Sequence, residues 1–206
     1  MLSMRSTSRC RFVVLTGGPG AGKTAILEIA RRSLGQRVVV LPEAASILFG
    51  GGFWRSNTTV GRKAAQRAIY YVQREQQRMV IEEAQQPFVL CDRGTLDGLA
   101  YWPDEPSTFW QDLDTSSEVE LARYDAVIHL RTPSQGQGYN HQNPLRTEDA
   151  ARAAEIDESI LQIWSQHPRH FVINSSDDFL TKVHSTLRLI ESLLRDPADQ
   201  AAPLRA

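Results

Sequence analysis

With 206 residues, 41% of them hydrophobic and 23% charged, the chain has the composition of a globular protein of one domain, long enough to bury a full core. A formal net charge of −1 gives no global attraction for nucleic acid or a membrane surface, and no run approaches the roughly 18 apolar residues that span a bilayer. Two cysteines, Cys10 and Cys91, are too few for a disulfide framework; Cys91 lies in an apolar run as a small buried hydrophobe, and a reduced, cytoplasmic setting follows.

The opening MLSMRSTSRCR is basic but has no apolar core of a signal peptide, so residues 1–10 read as a flexible arm before a domain over 11–195. Arg11–Thr16 (RFVVLT) is an apolar, β-branched run that stops at glycines and predicts a buried strand. A helix follows from Gly22 to Leu34, with Ile26, Leu27, Ile29, Ala30 and Leu34 as its inner stripe and Gly35 as its cap. Arg37–Leu41 predicts a second strand and Glu43–Phe49 a short helix ending at Gly50-Gly51-Gly52. The aromatic segment FWRSNTT leads to a long helix over Val60–Gln86, ended by Pro87, and Phe88–Cys91 predicts a third strand.

Gly94–Tyr101 predicts the start of a helix stopped by Pro103 and Pro106, and Asp125–Leu130 a fourth strand. Thr132–Arg146 has no period and reads as a loop, part of a lid over about 131–149, with Thr147-Glu148-Asp149 set to cap a helix over Glu148–Gln166. His170–Ile173 predicts a fifth strand. Ser176–Leu194 predicts a last helix with Phe179, Val183, Leu187, Ile190 and Leu194 inward, and residues 196–206 read as a frayed tail. Continuous apolar strands alternating with helices define an α/β fold, a three-layer sandwich around a parallel five-stranded sheet. Ligands bind such sheets beyond the carboxyl ends of the strands.

Gly17-Gly18-Pro19-Gly20-Ala21-Gly22-Lys23-Thr24, followed by Ala25, fits G-x-x-x-x-G-K-[ST] in full, between a strand and a helix. Its glycines let successive N–H groups turn toward phosphate oxygens, and the helix adds its positive dipole end. In this pattern Lys23 reaches the β- and γ-phosphates and the Thr24 hydroxyl ligates Mg²⁺. Asp92-Arg93 follows the third strand directly, where Asp92 is placed as a second magnesium-side ligand or else as a helix cap. Arg93 can orient a transferred phosphoryl group or an anionic substrate, or pair with Glu43. Glu43 follows the second strand and can take a proton from an attacking hydroxyl or bind a substrate sugar, or simply favour the start of its helix.

Arg146, and after it Arg131, with Arg152 on the helix beyond, are candidates to neutralise charge on the transferring phosphoryl as a lid closes; the alternative is that they are solvated loop arginines. Asn174-Ser175-Ser176 lies where a nucleotide base can stack, and no guanine-reading N/T-K-x-D signature is present there. The histidines have no metal-ligand spacing. Phe53, Trp54, Tyr70, Tyr71, Tyr101 and Trp102 are packing residues or the wall of an acceptor site.

The segments VVLTGGPGAGKT, PEAA after strand two, CDRGTLDGLAYW and NPLRTED together resemble the NadR-like branch of AAA-labelled P-loop proteins, related to the nicotinamide-riboside kinase domain of the bacterial NAD regulator. The resemblance spans roughly residues 11–174. It implies a kinase-type strand order 2-3-1-4-5, and no oligomeric AAA+ machine. The function expected is an ATP-binding P-loop protein that transfers the γ-phosphoryl of Mg-ATP to a nucleoside-like or other small hydroxyl acceptor. The alternative is a nucleotide-dependent binding protein, on ATP or GTP, that orders Gly50–Thr59 and Thr132–Arg146 with triphosphate state and has no small-molecule acceptor.

Overall fold

The computed structural model of the chain describes residues 9–83, 88–133, 150–175 and 178–196. Residues 1–8 of the expected arm, the expected tail beyond residue 196, Arg146 and the expected cap at residues 147–149 lie outside these.

The strands are β1 (Arg11–Thr16), β2 (Val39–Leu41), β3 (Phe88–Asp92), β4 (Ala126–Leu130) and β5 (His170–Ile173). They form one parallel sheet in the order β2-β3-β1-β4-β5, the order that the family resemblance implies. The helices are α1 (Lys23–Leu34), α2 (Ala44–Gly50), α3 (Thr59–Glu83), α4 (Pro106–Leu113), α5 (Ser117–Leu121), α6 (Ala150–Trp164) and α7 (Phe179–Arg195).

Alternation along the central strand decides which layer each side chain joins. Val13 and Leu15 point to the face covered by α1 and α7, where they meet Ile26, Leu27 and Ile190. Phe12 and Val14 point to the other face and pack with Val80 of α3 and Ile156, Ile160 and Trp164 of α6. Both faces are therefore dry, which explains why the strands read as unbroken apolar runs. Among the described residues, no helix is long and apolar enough to cross a membrane.

Several expectations change. The second strand begins at Val39 because Gly35–Arg37 first makes a turn of 3₁₀ helix. Thr95–Tyr101 is also 3₁₀, and Pro106 starts α4 instead of stopping a helix, since its missing N–H is no loss in a first turn. Ile29 is exposed. Phe179 does not join the core but lies against Gly22. Tyr70 and Trp102 are packing residues in a small cluster with Phe109 and Leu113, while Phe53, Trp54 and Tyr71 are exposed.

Gly94, just beyond β3, packs tightly between α6 and β1: an added Cβ would sit 2.5 Å from the Trp164 ring and 3.1 Å from Val14 Cγ2. Gly94→Ala is expected to cost about 1–3 kcal/mol by overpacking, read as a lower urea midpoint at unchanged m. A midpoint equal to that of the wild type would mean that the indole gives way freely.

Candidate active site

The sheet register sets Leu15 of β1 beside Asp92 of β3, so the P-loop and the Asp92-Arg93 pair leave the sheet side by side. Gly17, Gly20 and Gly22 take φ values of 132°, 84° and 91°. At Gly17 even this freedom is not enough to admit a side chain, because a Cβ would lie 2.1 Å from the Leu130 carbonyl oxygen of β4. Gly22 is the N-cap of α1 and no side chain caps that end, which leaves the first helical N–H groups for an anion.

Lys23 is folded back over the loop, its Nζ donating to the Gly17 and Gly18 carbonyls at 2.9 Å each. Burial, and then the nearby Arg93 guanidinium, pull its ammonium down to about 8 against the pull of Asp92, Glu43 and Asp97. Asp92 is 7% exposed, and its Oδ1 has no hydrogen-bond partner among the described residues. Burial, and then Glu43, push its carboxyl up to about 6, with Lys23 and Arg93 acting the other way.

Arg93 sits at the centre. Its backbone has a left-handed φ of 74°, held by an N–H to Leu15 O bond of 3.1 Å. Nε donates to Glu43 Oε1 at 2.6 Å, and Nη1 to Asp97 Oδ2 at 3.1 Å and Gly17 O at 3.3 Å. Its Cζ lies 5.7 Å from the Tyr101 ring centroid. The pairing with Glu43 that the sequence offered as one alternative is thus present. Glu43 stands at the N-cap of α2 but does not cap it; its carboxylate accepts from Arg93 and from the Ser46 hydroxyl instead. Burial raises its pKa, yet Arg93 and Lys23 outweigh burial and hold it at about 2.

The key residue that sequence reasoning missed is Asp97. It is buried one turn beyond Arg93 and accepts from Thr16 Oγ1 at 2.6 Å, Trp164 Nε1 at 2.7 Å and Arg93. Its signal was an aspartate four residues after an arginine in a segment otherwise packed against α6. Arg131 is brought to the same edge of the sheet, but its Nε lies 3.2 Å from Asp157 Oδ2 and Nη1 3.1 Å from Glu158 Oε2. Asn174 and Ser175 follow β5, while Ser176 lies outside the described residues.

The residues fit a divalent cation bound with a triphosphate. Asp92 offers an unclaimed, buried carboxylate oxygen, and Thr24 stands exposed at the start of α1 with a hard hydroxyl oxygen. Mg²⁺ commonly takes one or two such protein ligands and completes its shell with phosphates and water.

Fold and site together define a P-loop domain of the kinase-like type. The chain belongs to the AAA domain family, which it matches over residues 12–182. Its fold is similar to that of thymidylate kinase from Ehrlichia chaffeensis, with a TM-score of 0.59 and 17% identity, covering 89% of this chain and 99% of that one. No curated protein matches the sequence.

The two carboxylates beside Lys23 act on stability in opposite directions. Glu43, depressed from 4.5 to about 2, contributes stability that is complete above 4.5 and lost as pH falls toward 2. Asp92, raised from 3.8 to about 6, keeps its proton longer folded than unfolded, so its effect turns unfavourable as pH rises across that interval. In metal-free buffer at pH 7.5, Glu43→Gln is expected to lower the melting temperature and Asp92→Asn to raise it, each by a few degrees, roughly 2–4 °C per kcal/mol. Melting curves from pH 7.5 down to pH 4 should show the Asp92→Asn advantage shrinking. Shifts of the same sign for both variants would contradict this electrostatic assignment.

Proposed function

We propose that the chain is a kinase that transfers the γ-phosphoryl group of ATP, with Mg²⁺, to a hydroxyl of a small, nucleoside-like acceptor. The observation that supports this best is the Glu43–Arg93 ion pair, which lies within electrostatic reach of Lys23 and is braced on the Gly17 carbonyl. A phosphate-binding half and a hydroxyl-binding half thereby adjoin. The NadR-like character of CDRGTLDGLAYW and NPLRTED supports a nucleoside-like acceptor, and the fold shared with a thymidylate kinase supports a kinase-type role.

On this reading Lys23 leaves the Gly17 and Gly18 carbonyls for the β- and γ-phosphates, and the loop N–H groups surround their oxygens. Mg²⁺, held by Thr24 and Asp92, would neutralise phosphate charge. Glu43 accepts a hydrogen bond from the acceptor hydroxyl and orients its oxygen toward the γ-phosphorus. A bond forms between that oxygen and phosphorus, the bond to the β–γ bridging oxygen breaks, ADP leaves with the electron pair, and the hydroxyl proton passes to Glu43. A carboxylate held as low as about 2 is a weak base, but phosphoryl transfer through a loose transition state asks for positioning more than for strong deprotonation. Arg93 Nη2, without a partner among the described residues, is available to the acceptor oxygen or the moving phosphoryl. In this proposal Arg146, which lies outside the described residues, would supply further positive charge to the transferring phosphoryl, with Arg131 second, provided Arg131 leaves Asp157 and Glu158.

A thermal-shift panel of Mg-ATP, Mg-GTP and nucleosides tests the binding half, since a ligand at 100 times its Kd stabilises by about 2.7 kcal/mol. Mg-ATP should raise the melting temperature of the wild type and not that of Lys23→Ala. In an acceptor screen, Glu43→Gln should reduce kcat by roughly 10²- to 10⁴-fold while Mg-ATP binding persists. If a broad panel of hydroxyl acceptors yields only slow hydrolysis, the kinase reading fails and the nucleotide-dependent binding protein takes its place.

A further inference from the structure

Two buried charges at the rear of the P-loop touch none of the reacting groups just described, although one of them also holds Arg131. Asp157 on α6 is 1% exposed and Lys182 on α7 is 4% exposed. They do not pair with each other; each reaches backbone. Asp157 accepts the Gly18 N–H at 2.8 Å and the Thr132 N–H at 3.2 Å, and its carboxylate also meets His129 Nε2 at 3.0 Å and Arg131 Nε at 3.2 Å. Lys182 Nζ donates to the Ala21 carbonyl at 2.8 Å and the Arg131 carbonyl at 2.6 Å. So each charge joins one group of the P-loop to one group of the chain leaving β4. The anion takes the two N–H groups and the cation takes the two carbonyls. Thr132 Oγ1 adds a direct bond to the Pro19 carbonyl at 3.3 Å.

We infer that Asp157 and Lys182 are positioning residues that fix the orientation of two P-loop peptide planes; the inference rests on the reading of this loop as a triphosphate site. In a trans peptide the C=O of one residue and the N–H of the next point in opposite directions. Asp157, by holding the Gly18 N–H, turns the Gly17 carbonyl the other way, and that carbonyl is the one that meets Lys23 Nζ and Arg93 Nη1. Lys182, by holding the Ala21 carbonyl, turns the Gly22 N–H away from α7 and toward the phosphate side. Glycine follows in both planes, at Gly18 and Gly22, so local sterics do not prevent either plane from flipping. The two charges supply the constraint that the glycines give up.

Their burial argues for a directing role. Burying charge is costly even where it is paired, as Asp157 is with Arg131, and an apolar residue on these inward stripes, among Ala153, Ile156 and Ile160 on α6 and Val183 and Ile190 on α7, would avoid that cost. The backbone groups they satisfy belong to the phosphate loop and to the root of the Arg131 segment, not to the helices that carry them. Burial lowers Lys182 to about 8, with Asp157 opposing, in keeping with an ammonium held in a confined place.

The test uses inorganic tripolyphosphate and Mg-ATP as probes, with Lys182→Met, Lys182→Gln and the isosteric Asp157→Asn. Calorimetric Kd values for both probes are expected to rise roughly ten- to hundredfold in Lys182→Met and Asp157→Asn, the scale of one charge-assisted hydrogen bond. Lys182→Gln, which returns an N–H donor, should recover part of the loss. In nucleotide-free protein labelled with ¹⁵N-glycine, the Gly22 amide should shift in Lys182→Met and the Gly18 amide in Asp157→Asn, a signature that general destabilisation does not produce. Folded variants with wild-type Kd values and unmoved amides overturn the inference, as does loss of folding in both variants, which would assign the charges to the fold itself. A wild type that binds neither probe overturns the triphosphate reading instead, and the amide shifts of the free protein distinguish that outcome.

Discussion

A guanidinium taken out of water beside the phosphate loop dictates much of what surrounds it. Arg93 is almost buried, and a buried cation without counter-charges would cost several kcal/mol. Glu43 and Asp97 answer that charge, and the answer propagates. Asp97 must itself be satisfied, which commits Thr16 at the end of β1 and the indole of Trp164 on α6. The strand order makes the arrangement possible, because β3 lies between β2 and β1 and so sets the exits carrying Glu43, Arg93 and Gly17 next to one another. Among the described residues, Asp92 is the carboxylate of this cluster left with a buried, unclaimed oxygen.

That difference gives two neighbouring carboxylates two characters. Glu43, neutralised by Arg93, stays ionised and well directed, which suits a group that aligns a hydroxyl. Asp92, more deeply buried and facing like charge, is poised for an incoming cation that would relieve it. On the proposed kinase reading, the site is preorganised on its acceptor side and electrostatically incomplete on its phosphate side. Such a division suits a reaction in which the triphosphate brings its own counter-ion.

The sheet and the phosphate loop were legible in the sequence because they obey short-range rules. Unbroken apolar runs mark strands buried on both faces, and GGPGAGKT between such a run and a helical stripe has few other meanings. The segment between Tyr101 and Tyr124 was not legible: α4 opens on Pro106, and α5 is only five residues long, too short for a period to show. Glu43, Asp92 and Arg93 could be placed at the carboxyl edge of the sheet because each stands at, or within two residues of, the end of a strand. Asp97, Asp157 and Lys182 stand inside 3₁₀ or helical segments, where a charge normally belongs to a solvated face. Their trace in the sequence was a charge interrupting an inward stripe, as Asp157 does between Ile156 and Ile160 and Lys182 does before Val183. Phe179 was misassigned for the same reason in reverse, since an aromatic at helical spacing reads as core when it in fact lies over Gly22.

The hydrogen bond from Lys182 to Ala21 spans 161 positions of the chain. During synthesis at about 5–20 residues per second, the phosphate loop therefore emerges on the order of ten seconds or more before the lysine that holds its rear. For that interval the nascent chain carries the complete nucleotide signature without its last support. If Lys182 orients the loop as inferred, full affinity for a triphosphate waits until α7 has docked, and the helix that carries Lys182 completes a site encoded at the opposite end of the domain.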